Sequence, residues 1–346
     1  MSTTINQAVS ELVSGKDLTF DEARDVMDSI MDGECSPVMI SSYLTALATK
    51  GETVDEIAGS AYEMRAHATR LPGDYSDALE IVGTGGDGSG TFNISTTSAF
   101  VVAAEGVRVA KHGNRAASSM CGAADVLEAL GARLDNPPEV SARIIDECGF
   151  VFMFAQRYHA SMKHVAPVRR ELGTRTVFNI LGPLTNPAFA GSQFSGVYSE
   201  ELVRPFAGVL DRIGVRNGIV VYGRDRMDEI SVCAESKVCE LRSGTFDEYV
   251  VRPQDFGLPM SPRGELAGGD PAVNAGITRG ILGGAIRGGK RDAVLLNAAA
   301  GLYTVGKAGS IEEGLEMAGD AVDSGRALSC LKRYVALTGG RYVDRP

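Results

Sequence analysis

IVGTGGDGSGTFNISTTSAF, residues 81–100, runs from two apolar residues into glycines at 83, 85, 86, 88 and 90, and then into a hydroxyl-rich stretch. A β-strand that ends in a glycine loop and restarts as a helix is the opening unit of an α/β fold. Gly83, Gly85 and Gly88 satisfy the dinucleotide spacing G-x-G-x-x-G, but a chain with 42 glycines meets that spacing by accident. Dinucleotide binding also wants an acid about 20 residues on, at the end of the next strand, to take the ribose hydroxyls. Here that strand, VRVAKHGNR, ends in Lys111, His112 and Arg115, cations where an acid is required. No G-K-[ST] closes the glycine run, which excludes a Walker-type loop. What is left is a set of uncovered backbone N–H groups and a helix start, NIST, aimed at one spot. That is an anion site, with phosphate its natural occupant. Asp87 would repel a bare phosphate, so it accepts from a ligand hydroxyl, helps hold a metal, or only forms a turn; Ser95 and Thr96 are ligand contacts or simple helix caps.

The next loop, KHGNRAASS, also follows a strand and presents Lys111, His112, Gly113, Asn114, Arg115, Ser118 and Ser119. If its strand is parallel and adjacent to the first, both loops meet at the carboxyl edge of the sheet and share one anion; the alternative is a solvated basic turn. A third segment, residues 158–188, holds two of the four histidines with Arg169, Arg170 and Arg175, and Pro167 keeps His164 and Arg169 off one regular helix face. In the fourth, YGRDRMDEIS, Asp228 and Glu229 lie just beyond the strand GIVVYG. Adjacent carboxylates in a loop at a sheet edge suit Mg²⁺, which prefers carboxylate oxygens together with substrate phosphates; an exposed helix start is the other reading.

A chain of 346 residues suggests two domains, or one large α/β domain with an appendage. Its hydrophobic and charged fractions, 44% and 23%, are ordinary for a soluble protein, and no apolar run approaches the ~20 residues of a membrane span. The first 20 residues lack a basic start and a continuous apolar stretch, so the expected location is the cytoplasm. Six cysteines, at 35, 121, 148, 233, 239 and 330, form no C-x-x-C pair, which fits reduced thiols better than disulfides or zinc. A net charge of −10 argues against general nucleic-acid binding, whose affinity comes from clustered Lys and Arg.

Up to about Arg70 the pattern is helical. Thr19 caps one helix that stops at Gly33, Ser36 before Pro37 opens a second that closes at Gly51, and a third follows Thr53. The composition changes at about residue 75 to strands alternating with helices, which implies a mostly parallel sheet covered on both faces. GVRVAKHG, FVFMFA and GIVVYG read as strands, DVLEALG and DAVLLNAAAGLY as helices, and residues 236–251 as an antiparallel hairpin around Ser243-Gly244. The tail 311–338 returns to helix, and no strand order follows from these patterns.

The four segments together, in this order, resemble the anthranilate phosphoribosyltransferase family over nearly the whole chain; GTGGDGSGTFNIST and KHGNR are the specific parts, joined by VRRELGTRTVFNILGPLTNPA and MDEIS. The resemblance implies an α/β fold: a small all-helical domain plus a larger α/β domain with a mostly parallel central sheet, the site between them. The small domain would comprise residues 1–72 plus about 166–190, the large one about 75–165 plus 191–346, and homodimers would form through the small domain. The resemblance also implies an enzyme of tryptophan biosynthesis, acting on 5-phosphoribosyl 1-pyrophosphate and anthranilate with two Mg²⁺ ions. Gly83, Gly86, Asp87, Thr91, Asn93, Ser95, Thr96, Lys111, Gly113, Arg115, Ser118 and Ser119 would contact the sugar donor. Ser95, Asp228 and Glu229 would hold the metal, and Gly83, Asn114 and Arg169 would meet anthranilate, flanked by His112. Ala116 and Ala123 stand where the family often has serine, and His159-Ala160-Ser161-Met162 replaces H-P-A-M, which makes the 5-phosphate contacts the least matched part. Pyrimidine nucleoside phosphorylases share the architecture and are the alternative enzyme; a non-catalytic nucleic-acid-binding relative is the alternative of another class.

Overall fold

Thr4, Thr19 and Thr53 each accept a backbone N–H three residues on, while Gln7, Glu22 and Glu56 reach back to the cap N–H. These reciprocal capping boxes satisfy orphan donors at three helix starts and fix where the chain turns. They open α1 (Ile5–Val13), α2 (Phe20–Met31) and α4 (Val54–Ala66), while Ser36 and Pro37 open α3 (Pro37–Lys50). A computed structural model of the chain describes residues 3–116 and 119–344.

After α4 the chain enters a seven-stranded sheet: β1 (Leu79–Gly83), β2 (Val109–Gly113), β3 (Phe150–Phe154), β4 (Ser192–Gly196), β5 (Asn217–Gly223), β6 (Ser236–Arg242) and β7 (Thr245–Val251). The order is β3-β2-β1-β4-β5-β6-β7. The first five run parallel, and β6 and β7 form the antiparallel hairpin, turning at Ser243-Gly244. The chain moves from β1 to one side and later returns to pair β4 on the other, so the order reverses at β1, where α/β sheets bind ligands. Helix α5 (Ile94–Ala104) makes the first crossover.

Side-chain alternation divides the sheet between two cores. Ile81, Phe150, Phe152, Phe194, Ile219 and Val221 face one side, where α5 and the helices 289–304, 311–323 and 326–337 cover them. Val220, Cys239 and Leu241 face the other, in a core continuous with α1–α4 through Phe206 and Val209 of the helix 203–212. Val165, Val168, Val177, Phe178, Ile180, Leu181 and Leu184 join that second core, whereas Ala188 and Ala190 pack with Leu71, Tyr75 and Val151 in a third. The stretch that packs with the N-terminal helices therefore ends short of residue 188, and the helix 203–212 contributes although composition gave no sign of it. Among the described residues no helix is long and apolar enough to cross a membrane.

Candidate active site

Gly85, Gly86, Gly88 and Gly90 all have φ between 67° and 71°, the left-handed region open mainly to glycine, so the loop after β1 folds back on itself. Two other glycines fix what lies beside it. A Cβ at Gly83 would collide with the Asp228 carboxylate, and one at Gly196, the last residue of β4, with the Asp228 backbone carbonyl. The missing side chains let the loop after β5 settle across the ends of β1 and β4. Asp228 Oδ2 then accepts the Gly85 N–H at 2.7 Å, Asp228 N–H points to Asp87 Oδ2 at 3.4 Å, and Glu229 Oε1 accepts the Ser95 N–H at 3.1 Å. From β2, Lys111 Nζ donates to the Ile81 carbonyl at 2.5 Å and to Ser95 Oγ at 3.2 Å. One lysine, one serine and three carboxylates from segments far apart in sequence thus meet at one sheet edge.

The carboxylates of this cluster repel one another at close quarters. Burial, reinforced by repulsion from Asp87, pushes the Asp228 carboxyl up to about 7. Burial and then Asp228 hold Glu229 well above the usual carboxylate range. Burial pulls the Lys111 amine down, against the attraction of Glu80, Glu229 and Asp228. An all-oxygen donor set with surplus negative charge is what a hard divalent cation requires, so these residues fit Mg²⁺.

The cluster forms one wall of a cleft of about 940 Å³ between the sheet edge and the helical unit. His112 and His159 lie side by side in it, ring centroids 4.9 Å apart. His112 Nδ1 meets the Gly182 carbonyl at 3.2 Å and therefore carries the proton, while its buried Nε2 has no partner. His159 Nε2 meets the Thr185 carbonyl at 3.0 Å. Burial drives both imidazoles down, His112 to about 3 and His159 to about 4, with His159 adding to the shift at His112. Both are neutral at pH 7. An NMR titration from pH 5 to 8 is expected to leave both ring spectra unchanged; a midpoint inside that range would show that the rings are solvated.

Arg169 enters the cleft half-buried, its guanidinium 5.3 Å from the Phe178 ring centroid, with no carboxylate partner among the described residues. Asn93, Thr91, Thr96, Gly113, Asn114 and Ser119 line the same cleft, as do the methyls of Ala116 and Ala123. Asn93 is held by the Cys121 carbonyl and Asn274. Arg115 also borders the cleft, but it is tied to Asp125 and Glu128 at 3.1 and 2.5 Å, so its charge is largely spent within the protein. Ser118 lies outside the described residues. Among the other residues that line the cleft are His159, Arg175, Tyr198 and Asn274, to which the sequence alone assigned no role. Arg175 donates to the Gly86 carbonyl at 2.6 Å and lies 4.1 Å from the Tyr198 ring centroid, a strut between the glycine loop and the segment after β4. His159 carried a signal, as a histidine in a short motif; Tyr198 and Asn274 carried none.

Comparison with known proteins agrees with this architecture. A glycosyl transferase family model for a helical bundle domain matches residues 6–68, and one for an a/b domain matches residues 75–328. The anthranilate phosphoribosyltransferase of Methanobrevibacter smithii is 54% identical over 334 residues, covering 96% of this chain and 99% of that one. The crystal structure of anthranilate phosphoribosyltransferase from Thermus thermophilus superposes with a TM-score of 0.91 at 47% identity, over 96% of this chain and 99% of that one. The enzyme from Saccharomyces cerevisiae, solved in complex with PRPP and Mg, superposes with a TM-score of 0.88 at 28% identity, over 97% and 98%. The yeast enzyme has also been solved with 4-fluoroanthranilate, where the TM-score is 0.86, the identity 27%, and the coverage 97% and 98%.

Proposed function

This chain belongs to the anthranilate phosphoribosyltransferase family, and from that premise we propose how its own residues carry the reaction. The enzyme transfers the phosphoribosyl group of 5-phosphoribosyl 1-pyrophosphate to the amine of anthranilate, giving N-(5-phosphoribosyl)anthranilate and pyrophosphate in tryptophan biosynthesis. The observation that carries the residue assignment is the convergence of Lys111, Ser95, Asp228 and Glu229 beside the glycine loop.

At the anomeric carbon the C–O bond to pyrophosphate breaks as the C–N bond forms, through a transition state of oxocarbenium character. The Gly86 and Gly88 amides of the loop and Lys111 receive the diphosphate, where negative charge grows as it departs. Two Mg²⁺ ions, held by Ser95, Asp228 and Glu229 with Asp87 nearby, would neutralise that charge. The aromatic amine is neutral at pH 7 and needs orientation more than deprotonation before it attacks; the proton it sheds once the C–N bond has formed leaves to the departing pyrophosphate or to water. His112, a neutral imidazole beside His159, flanks anthranilate and helps to orient it. Arg169 pairs with the anthranilate carboxylate, the partner that it lacks within the chain. The phosphate of the sugar falls to Asn93, Thr96 and Ser119, with fewer hydroxyls than the family pattern because of Ala116 and Ala123. A homodimer through the helical unit is part of the same reading, supported by the exposure of Val13 and Val38 on the adjacent helices α1 and α3. A cytoplasmic location suits the six free thiols.

Loss of anthranilate fluorescence on adding the sugar donor and Mg²⁺ tests the reaction, with related aromatic acids as controls; a mixture that keeps its fluorescence would refute it. Arg169→Ala is expected to raise the KM for anthranilate about 10- to 100-fold, the worth of one charge-assisted pair, with the donor KM within about threefold. The reverse order in steady-state kinetics would overturn the assignment.

A further inference from the structure

β1 and β2 are neighbours in the sheet, yet they share one registered pair, Leu79 with Val109, where β1 with β4 and β2 with β3 share five each. Beyond that pair, side chains occupy the places of a ladder. Glu80 Oε1 accepts the His112 N–H at 2.8 Å, Lys111 Nζ takes the Ile81 carbonyl, and Asn186 Nδ2 donates to the Ala110 carbonyl at 2.7 Å. Asn186 Oδ1 accepts the Ala188 N–H at 2.8 Å, which fixes the orientation of its amide. Glu80 and Asn186 are buried, 0% and 4% exposed. Adjacent strands ordinarily pair along their length, because each unpaired backbone group in a core must find another partner. Here the partners come from side chains and not from the opposite strand.

We propose that Glu80 and Asn186 are positioning residues: a buried wedge that holds the ends of β1 and β2 apart and so sets the spacing between the glycine loop and the KHGN loop. The inference rests on the assignment of both loops to the phosphoribosyl donor. Neither residue reaches the cleft; both act through the His112 and Ala110 backbone. With the acceptor at Glu80 gone, the His112 N–H is free to pair with β1, the strand ends close, and the donor is gripped at the wrong span.

Three variants test this. Glu80→Leu removes the acceptor at similar size, Glu80→Gln keeps it, and Asn186→Asp keeps the bond to Ala188 while losing the donor to Ala110. Glu80→Leu is expected to raise the donor KM about tenfold or more, with the anthranilate KM within about threefold, and Glu80→Gln to stay near wild type in both. A purely structural loss would lower the active fraction and kcat while leaving both KM values alone, and that result would overturn the proposal. So would an equal loss in Glu80→Gln. Asn186→Asp is expected to move the donor KM in the same direction, and an unchanged donor KM there sinks the wedge even if Glu80→Leu is not recovered folded. Hydrogen exchange of the His112 amide in ligand-free protein separates this inference from the catalytic reading. Protection in wild type and Glu80→Gln, and in Glu80→Leu through its new pairing with β1, supports the wedge; a His112 amide that exchanges fast in Glu80→Leu shows that the strand ends do not close and overturns it, and rapid exchange in wild type overturns it while the reaction assay stands.

Discussion

Changing Asp228 to Asn and Glu229 to Gln together lowers turnover by on the order of 10³-fold or more and at the same time raises the melting temperature of the metal-free protein. The two effects share a cause. Glu229 is buried and Asp228 half-buried, close to each other and to Asp87, so each ionisation is opposed by desolvation and by a like charge. Amides of the same shape keep the bonds to the Gly85 and Ser95 N–H groups through their carbonyl oxygens and remove the repulsion. The sign with pH follows. A carboxyl raised from its ordinary value near 4 to about 7 costs no stability below that ordinary value, and the cost is complete once the pH has passed about 7. Metal-free wild type should therefore melt lower as pH rises from 5 to 8, the double variant should lose most of that slope, and added Mg²⁺ should restore wild type alone. Calorimetry with and without EDTA reads the stability, and the fluorescence assay reads the rate. A double variant with near-normal turnover would end the metal assignment.

Lys111→Met is expected to weaken binding of the sugar donor about 100-fold in titration calorimetry, with a fall in kcat of at least the same order. Methionine follows the path of the lysine stem, so the volume is kept while the charge and the donor to Ser95 Oγ are lost. Lys111 is 2% exposed and carries the only positive charge hydrogen-bonded to Ser95 among the described residues. Removing it also leaves Glu80, Asp228 and Glu229 with less compensation, so their carboxyls should hold protons to still higher pH. Donor affinity within about threefold of wild type would mean that the diphosphate lies elsewhere.

Much of this was legible because local chemistry and function coincide. Positive φ demands glycine at 85, 86, 88 and 90, threonine caps announce the helices, and the Ser243-Gly244 turn announces the hairpin. The opposite holds for β4. SQFSG carries no β-branched residue, although it is buried throughout between β1 and β5, and it must end in a glycine to clear the Asp228 backbone. Packing overrides propensity there, and nothing local reports it. Glu80 reads as the polar residue of an ordinary alternating strand; only the pairing of β1 with both β2 and β4 reveals that it faces no water. Arg115 has partners that its basic motif does not announce, since Asp125 and Glu128 on the helix that follows pair with its guanidinium at the rim of the cleft. Arg175 and Asn274 reach the cleft from remote segments, and that distance is what a linear pattern cannot carry.

The shared core of the N-terminal helices and residues 165–184 has a consequence for biogenesis. Ala66 and Val165 are separated by 99 positions, so the four helices leave the ribosome long before the residues that seal their apolar face are made. At about 5–20 residues per second that face stays open for seconds. Nascent chains stalled before residue 165 should be sticky and chaperone-dependent, whereas those extended past the helix 203–212, which also packs into that core, can close.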